Sequence, residues 1–125
     1  AASDVYKRQK ALKAQLIRMA DGRQVNLVLT TGGTGFSPCD ITPEATCAVA
    51  DRNAPGIAEA MRYHSLSITP RGMLSRGVSV LRGKTLIVNL PGSPKAVQEN
   101  LEYILPSLEH GVRIAAGLDG ECARK

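Results

Sequence analysis

Aromatic side chains are scarce in this 125-residue chain, which has no tryptophan, one phenylalanine (Phe36) and three tyrosines (Tyr6, Tyr63, Tyr103). Proteins that hold single-stranded nucleic acid stack bases on aromatic rings set among basic groups. So few rings argue against that class, even at a net charge of +5. The charge is also confined to one end. Residues 1–23 hold six basic groups (Lys7, Arg8, Lys10, Lys13, Arg18, Arg23) against Asp4 and Asp21, whereas the rest of the chain holds ten basic and nine acidic groups. Cysteine is sparse and odd in number: Cys39, Cys47 and Cys122 lack the close pairing of a zinc site, which fits free thiols in a reducing compartment. No apolar run approaches the ~20 residues that cross a bilayer. No charged-then-apolar leader with a small-residue cleavage site is readable. The expectation is a cytoplasmic protein with neither nucleic acid nor membrane as partner. No Ser–His–Asp arrangement can be read either, and His64 and His110 stand far apart, as surface or helix-end residues.

What is present is an ordinary globular composition, 43% apolar and 22% charged, at a length that supports one core. Residues 1–9 (AASDVYKRQ) show no period and are expected to be non-native or disordered; residues 10–117 carry the domain; residues 118–125 read as a frayed tail. From Lys10 the spacing of Leu12, Leu16, Ile17 and Ala20 predicts a helix stopped by Asp21-Gly22. Val25–Thr30 (VNLVLT) reads as a strand buried on both faces, since polar alternation is missing. Thr42-Pro43-Glu44 predicts a helix capped by Thr42 and ending near Arg52-Asn53. Pro55-Gly56 opens a second helix, on which Glu59 and Arg62 are spaced to pair. A helical turn is expected near Met73-Leu74. Val78–Leu81 and Thr85–Leu90 flank Gly83 as a β-hairpin. Ser93-Pro94 then starts a last helix with Val97, Leu101, Ile104, Leu105 and Leu108 on its apolar face, kinked or divided at Pro106. This order predicts an α/β layered domain.

Two loops carry the chemistry. TTGGTGFSP (30–38) follows the first strand and LPGSP (90–94) follows the last. If the two strands are parallel, both loops leave the carboxyl end of the sheet, where ligands bind in open α/β folds. Gly32, Gly33 and Gly35 offer unobstructed backbone N–H groups, and Thr31, Thr34 and Ser37 offer hydroxyls, a cradle suited to an oxyanion. The loop lacks the Gly-Lys-Ser/Thr of a Walker A motif and the G-x-G-x-x-G of a dinucleotide fold, and a tight strand-to-helix turn explains it equally well. Asp40 beside those amides suits a Mg²⁺ that bridges it to a phosphate, or is a plain helix-start aspartate. The amides of Ser93, Lys95 and Ala96 can receive an anion at a helix N-terminus, or belong to an ordinary capped helix. Arg76, after Ser75, can clamp a phosphate or stand solvated at a strand end.

In order and without large gaps, LVLTTGGTGFSPCDITPEAT, PGIAEAMR, ITPRGMLSR and RGKTLIVNLPGSPKAV resemble the MogA/MoaB family of molybdenum cofactor biosynthesis proteins over about Lys10 to Gly117. The resemblance implies a three-layer α/β/α domain with a mostly parallel sheet and a C-terminal β-hairpin. It also implies transfer of AMP from Mg-ATP to molybdopterin, with release of pyrophosphate. Carried over residue by residue, Thr31, Gly32, Gly33, Thr34 and Gly35 line the pterin-phosphate end, and Asp40 is the acidic residue that helps hold Mg²⁺ and orient the phosphate. Ser75 and Arg76 contribute to the pterin pocket; Asn89, Pro91, Gly92 and Ser93 face the nucleotide. Partners implied are molybdopterin and ATP, copies of the chain in a homotrimer or higher assembly when full length, and a molybdate-insertion protein. The alternatives are a non-catalytic molybdopterin-binding module and an inactive fragment of such an enzyme. Two departures stand out. Cys39 occupies a position where the family carries arginine, and the family's first strand, helix and second strand, with a further acidic residue, have no counterpart here. The latter predicts that Val25–Thr30 forms an open sheet edge.

Overall fold

In the computed structural model, which describes residues 2–118, the sheet is built around one strand that is buried at every position. Four strands form it: β1 (Leu27–Thr31), β2 (Arg52–Asn53), β3 (Ser79–Arg82) and β4 (Thr85–Leu90), in the order β1-β4-β3-β2. β4 pairs parallel with β1, from Leu27↔Leu86 to Thr31↔Leu90, and antiparallel with β3, from Ser79↔Val88 to Arg82↔Thr85. The expected mostly parallel sheet is therefore mixed. β3 and β4 are joined by a tight turn through Gly83, whose φ is +55°, and a parallel pair needs a crossover of a dozen residues or more. β2 adds a second antiparallel pairing to β3.

Four helices accompany the sheet: α1 (Ala2–Ile17), α2 (Thr42–Val49), α3 (Pro55–Leu66) and α4 (Pro94–Ala115). Side chains alternate along a strand, and β4 uses both sets. Ile87 joins Val28 and Val80 against Leu16 of α1 and Val49 of α2. Leu86, Val88 and Leu90 pack against Ala58 and Met61 of α3 and Ile104 and Leu108 of α4. Helices thus cover both faces of β4.

Several expected boundaries move. α1 begins at Ala2 rather than Lys10 and closes in a π-helical turn, Arg18–Gly22, where the Arg23 N–H donates to the Arg18 carbonyl. Leu16 and Ala20 are buried, but Ile17 turns outward. β1 lies at an edge of the described sheet, so the reading of a strand buried on both faces fails: Val28 is buried, while Leu29 is 38% exposed. α2 stops at Val49 because the Asp51 N–H donates to the Leu81 carbonyl and the chain joins β3 as β2. Ile41, not Thr42, occupies its N-cap position. Arg62 donates to the Ser75 and Gly77 carbonyls instead of meeting Glu59. A 3₁₀ turn spans Pro70–Leu74. α4 is continuous through Pro106, with Ile104 and Leu108 buried and Leu105 outward at 54% exposure. The tail beyond Leu118, with Cys122, lies outside the described residues.

Candidate functional site

The parallel register of β1 and β4 brings the ends of both strands to one edge of the sheet. Thr31 is opposite Leu90, and the next amide, Gly32 N–H, donates to the Leu90 carbonyl at 3.1 Å. A Cβ added to Gly92 would lie 3.4 Å from the Gly32 Cα, so the two loops run against each other backbone to backbone. Gly32 and Gly33 hold φ of +82° and +70°, a region costly for residues with a Cβ. Gly33 is doubly constrained: its carbonyl accepts from the Thr42 N–H, and a Cβ there would stand 2.2 Å from the Thr42 hydroxyl. That contact places the start of α2 directly beneath the loop. Thr42 supports the loop where sequence suggested a cap.

From Gly35 to Asp40 the chain makes a turn that folds on its own acidic residue. Asp40 Oδ2 accepts from the Ser37 N–H at 3.0 Å, the Asp40 N–H returns to the Ser37 carbonyl at 2.9 Å, and the Cys39 N–H donates to the Ser37 hydroxyl at 3.2 Å. Arg76 spans the turn. Its Nε donates to the Gly35 carbonyl at 2.7 Å, its Nη2 to the Asp40 carbonyl at 2.8 Å, and its Nη1 to Glu44 Oε2 at 2.5 Å. In this arrangement the Arg76 fork is engaged by two carbonyls and a carboxylate of the chain itself. The Arg76 guanidinium holds the Glu44 carboxyl below the usual range, and Glu44 in turn raises Arg76. Neither glutamate nor fork was legible as a pair, since they are 32 positions apart.

On the other loop, the Ser93 hydroxyl accepts from the Ala96 N–H at 3.1 Å. Of the three amides considered for an anion, Ala96 is therefore already satisfied. Pro91 and Ser75 line a small cavity with Arg62, Ser65 and Asn100, of about 70 Å³. Ligand pockets begin at roughly 300 Å³, so this cavity is a packing gap too small for a nucleotide or a pterin. Asn100 could have been found from sequence, because it shares a stripe with Ile104 and Leu108 at four-residue spacing. Asn89 is only 2% exposed. Its side chain accepts from the Val78 N–H and donates to the hydroxyls of Thr30 and Thr46, each at about 3 Å. It thereby ties β4 to β1, to α2 and to the start of β3. His64 stacks on Tyr103 with ring centroids 4.2 Å apart, away from both loops.

Cys39 and Cys47 are exposed free thiols. Among the described residues no three His, Cys, Asp or Glu side chains gather as a metal cluster, and no helix is long and apolar enough to cross a membrane. Two glycine loops thus stand in backbone contact, with Asp40 in the turn that follows the first. The family described as "Probable molybdopterin binding domain" matches residues 5–110. The chain belongs to this family.

The chain is 51% identical over 96 residues to the molybdopterin adenylyltransferase of Haemophilus influenzae, covering 77% of this chain and 49% of that protein. It is 45% identical over 106 residues to the molybdopterin adenylyltransferase of Helicobacter pylori strain J99, covering 85% and 60%. Among solved structures it is similar to the molybdopterin biosynthesis enzyme MoaB of Thermus thermophilus, with 50% identity, a TM-score of 0.82, and coverage of 87% of this chain and 69% of that one. The chain thus spans about half the length of the first of these curated relatives. The family match starts at residue 5, upstream of the boundary at Lys10 that periodicity suggested.

Proposed function

We propose that this chain supplies the molybdopterin-handling crevice of an adenylyltransferase in molybdenum cofactor biosynthesis. In the reaction, an oxygen of the molybdopterin terminal phosphate attacks the α-phosphorus of ATP. The α–β phosphoanhydride bond breaks, pyrophosphate leaves, and the AMP moiety remains on molybdopterin. Such a transfer needs positioning and charge neutralisation more than covalent participation by protein. Gly33, Thr34 and Gly35 supply the phosphate-facing backbone, Gly32 ties their loop to β4 through its N–H on the Leu90 carbonyl, and Ser75 borders the pterin side. Pro91, Gly92 and Ser93 face the nucleotide; Asn89 holds their strand from beneath. Asp40 offers one carboxylate at the mouth, and Mg²⁺ binds through one or two carboxylates together with substrate phosphates. The residues therefore fit the ion, which when bound would neutralise developing phosphate charge.

One observation carries this reading: the Gly32 N–H to Leu90 carbonyl bond at 3.1 Å, which sets the two glycine loops side by side at one end of the sheet. The names of the curated relatives support the substrates. A cytoplasmic setting, a homotrimer or higher assembly of the full-length protein and delivery to a molybdate-insertion protein belong to the same reading. Because the chain spans 49% of one relative, a binding module without turnover is the second reading. Titration of the chain with molybdopterin and Mg-ATP separates them. Pyrophosphate release supports the enzyme, saturable pterin binding without release supports the module, and no binding of either ligand overturns both.

A further inference from the structure

We infer that Arg76 and Glu44 are a positioning pair that shapes the 35–40 turn and thereby aims the Asp40 carboxylate. The inference rests on the role proposed above for Asp40, but its geometry stands on its own. Arg76 reaches both ends of the turn at once, through Nε to the Gly35 carbonyl at 2.7 Å and Nη2 to the Asp40 carbonyl at 2.8 Å. Its own backbone N–H donates to the Thr34 carbonyl at 2.8 Å, so the residue is fixed at the root as well as at the tip. Glu44, on the first turn of α2, takes the other side of the fork through Oε2 at 2.5 Å and Oε1 at 3.3 Å. A planar fork can hold two carbonyls and a carboxylate together, and a lysine ammonium cannot reproduce that geometry.

The acidic side chain is held closely inside this frame. A Cβ added at Gly35 would lie 2.9 Å from Asp40 Oδ2, so the carboxylate rests against the glycine Cα with no room to spare. Both ends of the turn are tied to one guanidinium, and that guanidinium is tied to α2. A change at Glu44 therefore reaches Asp40 without touching it. Glu44 also balances the charge of Arg76, which keeps the fork on the two carbonyls instead of leaving it an unpaired cation beside a phosphate site. Neither residue contacts a reacting atom in this arrangement; both act through the turn.

The test uses the whole chain with Glu44→Gln, Glu44→Asp, Arg76→Lys and Gly35→Ala. Amide hydrogen exchange at Ser37, Cys39 and Asp40 reads the turn, with α4 amides as the folding reference. Exchange at the turn should rise up to about fivefold in Glu44→Gln, which loses a solvent-exposed ion pair, and about tenfold or more in Arg76→Lys, which also loses the fork's bonds to two carbonyls. α4 should be unmoved, and Glu44→Asp should recover most of the protection. In parallel, the Mg²⁺ concentration that half-saturates ATP binding should rise by a similar factor in Gly35→Ala and Glu44→Gln, and less in Glu44→Asp. Unchanged exchange at the turn in both Glu44→Gln and Arg76→Lys overturns the pair, as does an equal Mg²⁺ response in all folded variants. Failure of the unaltered chain to bind Mg-ATP counts against the proposed function, while the exchange result still decides the pair.

Discussion

The methyl group that Gly33 lacks would stand 2.2 Å from the hydroxyl of Thr42. This pair sets the distance between the first glycine loop and the helix beneath it. Gly33→Ala adds two penalties, a left-handed backbone at φ +70° and a collision. The backbone term alone should cost about 1–3 kcal/mol. Thr42→Ala in the same chain should relieve the collision and leave the strain, so the double variant should unfold at a denaturant concentration between those of Gly33→Ala and the unaltered chain. Additive single effects would show that the two groups do not meet.

Asn89 joins three elements beneath the crevice, accepting from Val78 and donating to Thr30 and Thr46. Its replacement by Ala leaves the part-buried Val78 N–H without its partner, at up to about 1–3 kcal/mol. Urea denaturation should show a lower midpoint at an unchanged slope. A midpoint within error of the unaltered chain would remove Asn89 from the framework.

The apolar face of α4 gives a contrast inside one helix. Leu108, 2% exposed, belongs to the core with Ile104 and Leu90, and Leu108→Ala should cost about 2–5 kcal/mol. Leu105, 54% exposed, should tolerate the same change within about 0.5 kcal/mol, as outward positions do. Thermal melting of the two variants checks the rotation of the helix.

The Glu44–Arg76 pair should also leave a mark on stability against pH. The Glu44 carboxyl titrates below its usual range because Arg76 bonds its charged form, so the folded state favours ionisation. Its contribution is complete above the unfolded-state value near about 4.3 and is lost as pH falls through the lower folded value. With the pair largely exposed, at 32% and 47% of the two side chains, the gain is at most about 1 kcal/mol. The stability difference between the unaltered chain and Glu44→Gln should stay constant from pH 7 to pH 5 and shrink below pH 4. A difference that grows on acidification would reverse the sign assigned here.

The parts of this architecture that sequence disclosed are those with local causes. VLTTGG and LPGSP announce a strand end followed by a turn, and Ser93-Pro94 announces the start of α4; all three appear where composition places them. The parts it concealed depend on remote partners. Arg52-Asn53 looks like a helix end until Leu81 offers a strand to join. Arg76 looks like a free cation until Glu44 and two carbonyls turn its fork inward. Asn89 sits inside an otherwise apolar run, and such a residue must either meet partners or weaken the strand; position alone does not name them. Leu29 looks buried because its neighbours in sequence are apolar, yet it lies on an edge strand.

Because residues on a strand face opposite ways in turn, the ladder from Leu27↔Leu86 to Thr31↔Leu90 does more than hold β1 in place. A slip of one step would swing Val28 out of its cluster and bring Leu29 in. The same slip would carry Gly32 past Leu90 and slide the two glycine turns out of alignment. Alignment of the crevice and burial of Val28 are thus decided by a single choice of pairing, so the force that folds this edge also assembles the place where a ligand would sit.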